Sequence, residues 1–247
     1  MLTIGTDNPA YPPWFLGDPP KGSTWQLADP TSGTGYESAA AYAIAGALGF
    51  SKDQVSWVVV PFNNAIQPGP KSFDILLNQV DYQPERAKAV DLSDGYFDNN
   101  QAVVSVEGNP ITKATSVGDL KAFRLGAQVG TTSYTYIKDT IQPAAKVSVY
   151  STNDLAIAGL KARQIDGIVV DLYTAYYMVG AQLNKGVIVG QLPAVGEATH
   201  FSVLLTKNSP LTACVNQALA VIKADGTLDQ IHKDWIDTQG NAPVLAP

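Results

Sequence analysis

Phe73-Asp-Ile-Leu-Leu-Asn-Gln-Val-Asp-Tyr-Gln-Pro-Glu-Arg86 reads as a buried strand, a polar turn and the start of a helix. Residues 73–77 form the kind of short apolar run that fills a central strand. Residues 78–83 break that pattern. Pro84 has the fixed φ suited to the first helical position, and Glu85 puts negative charge where a helix N-terminus favours it. A short helix over residues 84–90 follows from these signals. Arg86 at this junction would point back over the end of the sheet, near free backbone amides. Two readings of it stay open. It is a clamp for a carboxylate, or a surface arginine paired with Glu85 or Asp91.

The same alternation continues outward. Leu2-Thr-Ile-Gly-Thr6 predicts a strand from its alternation and β-branched residues. Asp7-Asn-Pro9 ends it. The prolines of Tyr11-Pro-Pro-Trp-Phe15 exclude a helix and hold an extended loop that presents Tyr11 and Trp14, with Phe15 plugging the core edge. Residues 16–35 form a long loop rich in Gly, Pro, Asp and Ser, of the kind that is functional or flexible. A helix is predicted over 37–48, stopped by Gly49. A strand over 55–60 has Phe62 at its end, and a weak helical segment spans 63–67. The helix over 84–90 runs into Asp91-Leu-Ser-Asp-Gly-Tyr96, and a strand follows over 101–106.

A second unit of the same style begins after Gly108-Asn-Pro110. Ser116 to Asp119 has the spacing of a capping box. Strands are predicted over 124–128, 147–150, 165–170, 187–189 and 200–205. Helices are predicted over 134–140, 154–162, 172–183, 211–223 and 228–235. Residues 190–199 read as a return segment, and 240–247 as a disordered tail. Two α/β units place their ligand crevices at the C-terminal ends of their strands. The polar residues there are Asp7, Asn78 to Asp81, Arg86, Thr131, Thr132 and Asp171. An arginine and two threonines would hold a carboxylate, and an aspartate on another strand would hold an ammonium.

Composition narrows the classes. The chain has 247 residues, one large or two medium domains. It is 45% hydrophobic and only 15% charged, with a formal charge of -6. That balance disfavours nucleic acid as a partner. One cysteine, Cys214, excludes an internal disulfide, a metal finger or a CxxC pair. The scattered Asp residues lack calcium-loop spacing, and no dinucleotide fingerprint occurs. No metal and no cofactor is expected. No apolar run is long enough to span a bilayer. Either the protein is cytoplasmic or a signal segment has been removed ahead of Met1, and low charge with few lysines suits an exported protein.

Ile4-Gly-Thr-Asp7 before Tyr11-Pro-Pro13, Gly35-Tyr-Glu37 before an Ala-rich helix, and Pro84-Glu-Arg-Ala-Lys-Ala-Val-Asp91 stand in a telling order. So do Val129-Gly-Thr-Thr132, Ile165-Asp-Gly-Ile-Val-Val-Asp171, and Ile222-Lys-Ala-Asp-Gly-Thr-Leu-Asp229 with Trp235. Over nearly its whole length the chain resembles the solute-binding proteins of ABC importers for polar amino acids. The resemblance implies a two-lobe α/β periplasmic binding protein-like fold of type II, with mixed sheets flanked by helices and a ligand cleft between the lobes. Lobe 1 would hold residues 1–104 and 199–247, and lobe 2 residues 105–198. It also implies roles. Arg86 would bind the ligand α-carboxylate, helped by Thr131, Thr132 and Ser133. Asp171 would bind the α-ammonium. Phe62 would stack on the ligand, with Tyr11 and Trp14 around it and Asn78 nearby. Asp7 falls where relatives with cationic ligands place a carboxylate.

One departure concerns Asp81, where the family commonly has a small hydroxyl or neutral residue. Asp81 either contacts a cationic ligand or pairs with Arg86 and neutralises it. The expected protein is monomeric, periplasmic or lipid-anchored at the cell surface, and partnered with a membrane permease. A ligand-sensing domain would share this fold and site. A lyase or dehydratase on the same fold would need a group titrating near neutrality. His200 near the hinge and His232, read as a surface residue, are the only histidines, so binding without catalysis is expected.

Overall fold

The computed structural model describes residues 1–195, 199–236 and 242–247. The chain forms two compact units, Met1–Asp98 with His200–Thr238, and Asn99–Thr199 with Gln239–Pro247. The first opens with β1 (Leu2–Thr6), α1 (Tyr36–Ala47), β2 (Val55–Val59), α2 (Phe62–Ala65), β3 (Ile75–Leu76) and β4 (Val90–Asp98). The second contains β5 (Gln101–Val106), β6 (Leu125–Gln128), α3 (Thr132–Tyr136), β7 (Ser148–Tyr150), α4 (Asn153–Lys161), β8 (Gly167–Asp171), α5 (Leu172–Tyr177) and β9 (Gly186–Gln191). The chain then returns to the first with β10 (His200–Thr206), α6 (Thr212–Ala224) and α7 (Thr227–Trp235).

Each unit carries a five-stranded sheet, in the orders β2-β1-β3-β10-β4 and β7-β6-β8-β5-β9. In both, the first three strands are parallel and the last two join antiparallel. These are the expected mixed sheets flanked by helices.

In the first unit β3 sits at the centre, as its apolar run predicts, though only Ile75 and Leu76 are strand. The polar stretch after it stays tied to the sheet. Ser202 N–H donates to the Val80 carbonyl at 2.8 Å, Tyr82 N–H donates to the His200 carbonyl at 2.9 Å, and Asp81 bridges Phe201. The helix expected over 84–90 is a single 3-10 turn, Arg86–Lys88. It stops because Val90 already belongs to β4, whose Val90, Ser93, Tyr96 and Phe97 are buried. The register of β4 against β10 shifts near Ser202, and a Cβ on Gly95 would lie 2.6 Å from the His200 ring. Such an irregular strand, broken by Asp94 and Gly95, lacks the clean alternation that announces a strand.

Trp14 corrects another expectation. It is 1% exposed and packs edge-on against Tyr36, Phe97 and Phe201 at 6.0, 5.1 and 5.3 Å. The prolines before it turn its indole into the core instead of presenting it to a ligand. His232 is half-buried in the same cluster, stacked on Phe97 at 5.5 Å, so it is not a surface residue.

The second unit follows from period-two burial on both faces of its sheet. Val103 and Val169 join one core with Ile111, Leu120, Ile137 and Ile141. Their neighbours Ala102, Val104, Ile168 and Val170 join the other, with Ile157, Leu160 and Ala175 from α4 and α5. The helices expected over 134–140 and 172–183 each end in a π-helical turn, Ile137–Ile141 and Met178–Gln182.

Two boundaries differ from expectation. The first unit ends at Asp98, not at 104, because Gln101 to Val106 lie between β8 and β9. The tail also belongs to the second unit. Of the expected disordered residues, 240 and 241 lie outside the described residues, as do 196–198 of the return segment. Leu245 is 3% exposed in the core of that unit. Gln191 N–H donates to the Pro243 carbonyl at 2.7 Å and Leu245 N–H donates to the Gln191 carbonyl at 2.9 Å, extending the sheet past β9. An apolar side chain covering a sheet edge orders a tail that its Gly, Asn and Pro residues would leave loose.

Candidate functional site

In the second unit, Asp171 closes β8 at the start of α5. Its Oδ1 accepts from Asn99 Nδ2 and from Gln101 Nε2, both at 2.6 Å. Gln101 faces Asp171 in the β5–β8 register, so strand pairing brings the amide to the carboxylate. The Gln101 amide also donates to Thr132 Oγ1 at 3.3 Å and accepts from the Ser133 hydroxyl. Asp171, Thr132 and Ser133 are thus brought together, and Gln101 is the piece that joins them. Thr131 is the N-cap of α3: its hydroxyl accepts from Tyr134 N–H at 3.2 Å and donates to the Gln128 carbonyl at 2.7 Å. Its side chain stabilises the helix start. Ser133 is 4% exposed and turned to Gln101.

In the first unit, Arg86 is 7% exposed. Its Nη1 donates to the main-chain carbonyl of Asp81, and its guanidinium lies 5.6 Å over the Phe62 ring. The surface-arginine reading fails, because Glu85 pairs with Lys88 and Asp91 with Lys207. Arg86 is instead a buried, braced cation. Asp81 is buried too and reaches Arg86 through its backbone, at the least. Phe62 is 8% exposed and serves as the platform beneath Arg86.

Asp7 ends β1 and caps α2. Its Oδ2 accepts from Phe62 N–H at 3.1 Å and its Oδ1 from Asn8 N–H at 2.7 Å. Burial pushes its carboxyl above the usual range, against those two backbone bonds. Among the described residues no cationic side chain pairs with it. Asn78 is half-buried, and its side-chain amide has no protein hydrogen-bond partner among the described residues. Tyr11 is half-buried in the loop after β1. His200 stacks on Tyr82 at 5.5 Å.

Glu37, in the first turn of α1, is fully buried. Its Oε1 accepts from Gln79 N–H at 2.7 Å and from the Tyr96 hydroxyl, and its Oε2 accepts from the Gln79 amide. Gln79 takes a left-handed φ of 47°. Glu37 therefore holds the turn between Asn78 and Asp81 in a conformation a side-chain-bearing residue seldom adopts. Burial pushes the Glu37 carboxyl up to about 7, with the Tyr96 and Gln79 bonds pulling the other way.

Sequence reasoning misses Gln101, Asn99 and Glu37 as parts of these sites. The run Asn99-Asn100-Gln101 ahead of an apolar strand is a readable cluster of amides. Glu37 meets Gln79 across 42 positions, and nothing local signals that pairing.

Comparison with known proteins decides the family. Residues 2–238 match the model of the bacterial extracellular solute-binding proteins, family 3. The chain belongs to that family. This solute-binding protein is 31% identical over 170 residues to ABC transporter arginine-binding protein 1 of Escherichia coli (strain K12), covering 67% of each chain. It is 27% identical over 237 residues to the L-cystine-binding protein TcyJ of the same strain, covering 95% of this chain and 82% of the relative. A solved ancestral arginine-binding protein bound to glutamine matches with TM-score 0.76 and 30% identity, covering 95% of this chain and 97% of its own. All three are amino-acid-binding proteins, the first of them that of an ABC transporter. Among the described residues no helix is long and apolar enough to cross a membrane.

Proposed function

We propose that this solute-binding protein captures a polar, cationic amino acid or amine outside the cytoplasm and delivers it to an ABC permease. The observation that carries the cationic reading is Asp7, a half-buried carboxylate that caps α2 and has no basic side chain paired with it among the described residues. A ligand cation would supply the missing charge. The buried guanidinium of Arg86 supports recognition of an α-carboxylate. The carboxylate of Asp171, oriented by Asn99 and Gln101, supports recognition of an α-ammonium. Thr132 and the backbone at the start of α3 would add donors to the carboxylate.

A ligand that needs Arg86 from one unit and Asp171 from the other favours whichever arrangement offers both. Binding would then shift an open–closed equilibrium by its differential affinity, and the permease would read the closed form. A thermal-shift screen over L-arginine, L-lysine, L-ornithine, putrescine, L-glutamine and L-cystine tests the ligand class. Cationic compounds should raise the melting temperature, since a ligand that binds only the folded state stabilises it by mass action. A shift with L-cystine or L-glutamine alone would keep the transport role and discard the cationic one.

A further inference from the structure

The loop over residues 16–35 has no part in the site described so far. Its base closes through Leu16 N–H to the Thr34 carbonyl at 3.0 Å and Asp29 N–H to the Gly17 carbonyl at 2.9 Å. Its far arm is fastened to Asn8. The Asn8 side-chain amide donates to the Thr24 carbonyl at 2.8 Å and accepts from Gln26 N–H at 2.9 Å. These two bonds bracket Trp25, whose own N–H donates to Ser23 Oγ at 3.1 Å. Leu27 then takes a left-handed φ of 71° before Ala28 enters the core. A leucine holds that conformation only where its surroundings impose it. A stretch whose composition allows a loose loop is therefore pinned on both sides of one tryptophan.

The Trp25 side chain is half-buried. Trp14 packs against three aromatic rings and Trp57 bonds Tyr42, whereas Trp25 has neither a ring contact nor a side-chain hydrogen bond among the described residues. A large amphipathic ring on a braced backbone, with no ring or hydrogen-bond partner among the described residues, is suited to an external one. Asn8, which holds it, follows Asp7 and donates its N–H to Asp7 Oδ1 at 2.7 Å. The pinned tryptophan is thereby anchored at the end of β1 that carries the uncompensated carboxylate.

We propose that Trp25 is a ligand-contacting residue that sets specificity, its indole walling the subsite that takes the cationic end of the ligand beside Asp7. Asn8 is its positioning residue. The proposal rests on the cationic reading above. A guanidinium or ammonium over an indole face is attracted by the ring, while Asp7 supplies the opposite charge.

The test is calorimetric titration of L-arginine into the unaltered protein, Trp25→Ala, Trp25→Phe and Asn8→Ala, with circular dichroism to confirm folding. Trp25→Ala should weaken binding about tenfold, and Trp25→Phe should stay within about threefold because an aromatic face remains. Asn8→Ala should fall between them. Affinity within about twofold of the original in Trp25→Ala, or equal losses in the Ala and Phe variants, would overturn the inference and leave the cationic reading standing. Where the unaltered protein takes L-lysine, L-ornithine or putrescine in place of L-arginine, the same variants are titrated with that compound, and binding of none of the four would overturn both.

Discussion

In the second unit, Asp171 meets Gln101 directly across one pair of strands, and Thr132 and Ser133 close the group from the start of one helix. In the first unit, Arg86 is braced by a turn that is held by Glu37 from α1 and by β10 from much later in the chain. One site is assembled from strand ends and the helix starts that follow them. The other is assembled from segments that meet only when the whole unit has folded. The second arrangement makes the position of Arg86 depend on the core beneath it. Damage to that core should therefore reach Arg86 in the first unit and spare Asp171 in the second.

Trp14→Ala breaks the first unit most severely. Emptying this aromatic cluster should cost about 3–5 kcal/mol, read by urea denaturation. All four tryptophans, Trp14, Trp25, Trp57 and Trp235, lie in the first unit. Their fluorescence reports that unit, whereas far-UV circular dichroism reports both. Loss of less than about 1 kcal/mol would show that Trp14 is not the core residue described.

Glu37 sharpens the contrast through pH. Its carboxyl titrates near 7 in the folded state against an ordinary 4.5. Between those values the folded protein holds more proton than the unfolded chain. The Glu37 contribution therefore favours folding at the acid end and is lost as pH rises toward 7, by roughly 3 kcal/mol in all. Glu37→Gln should flatten that slope when unfolding free energy is compared from pH 4.5 to 8. Parallel pH profiles for the two proteins would contradict the assignment.

Leu245→Ala works from the other side. It should cost about 2–3 kcal/mol in the second unit. The circular dichroism transition should move to lower urea while tryptophan fluorescence keeps its midpoint. A common shift in both signals would mean that the units do not unfold separately. A smaller effect is expected at Asp81. Asp81→Ser keeps the carbonyl that Arg86 uses, so L-arginine affinity should fall less than in Arg86→Ala. Tighter binding of neutral amino acids, measured by calorimetry, would instead mark Asp81 as a plug on Arg86.

The contrast also explains what can be read from the sequence. Strand and helix alternation, the central place of residues 73–77 and the clustering of Thr132 with Asp171 are legible because each rests on local pattern. Trp14 misleads because two prolines and an aromatic fit an exposed loop as well as a buried corner. Strand β4 hides behind Asp94 and Gly95, whose irregularity is accommodated by His200. The tail escapes because Val244 and Leu245 are two apolar residues among Gly, Asn, Ala and Pro, too short a run to announce a buried segment. Glu37 escapes because its partner Gln79 is brought to it by the fold.

The central claim is that one ligand needs a cation from the first unit and a carboxylate from the second. Calorimetric titration of L-arginine into the unaltered protein, Arg86→Ala and Asp171→Ala tests it most directly. Each substitution should weaken binding at least about tenfold through a lost charged hydrogen bond. Unchanged affinity in both variants would contradict it.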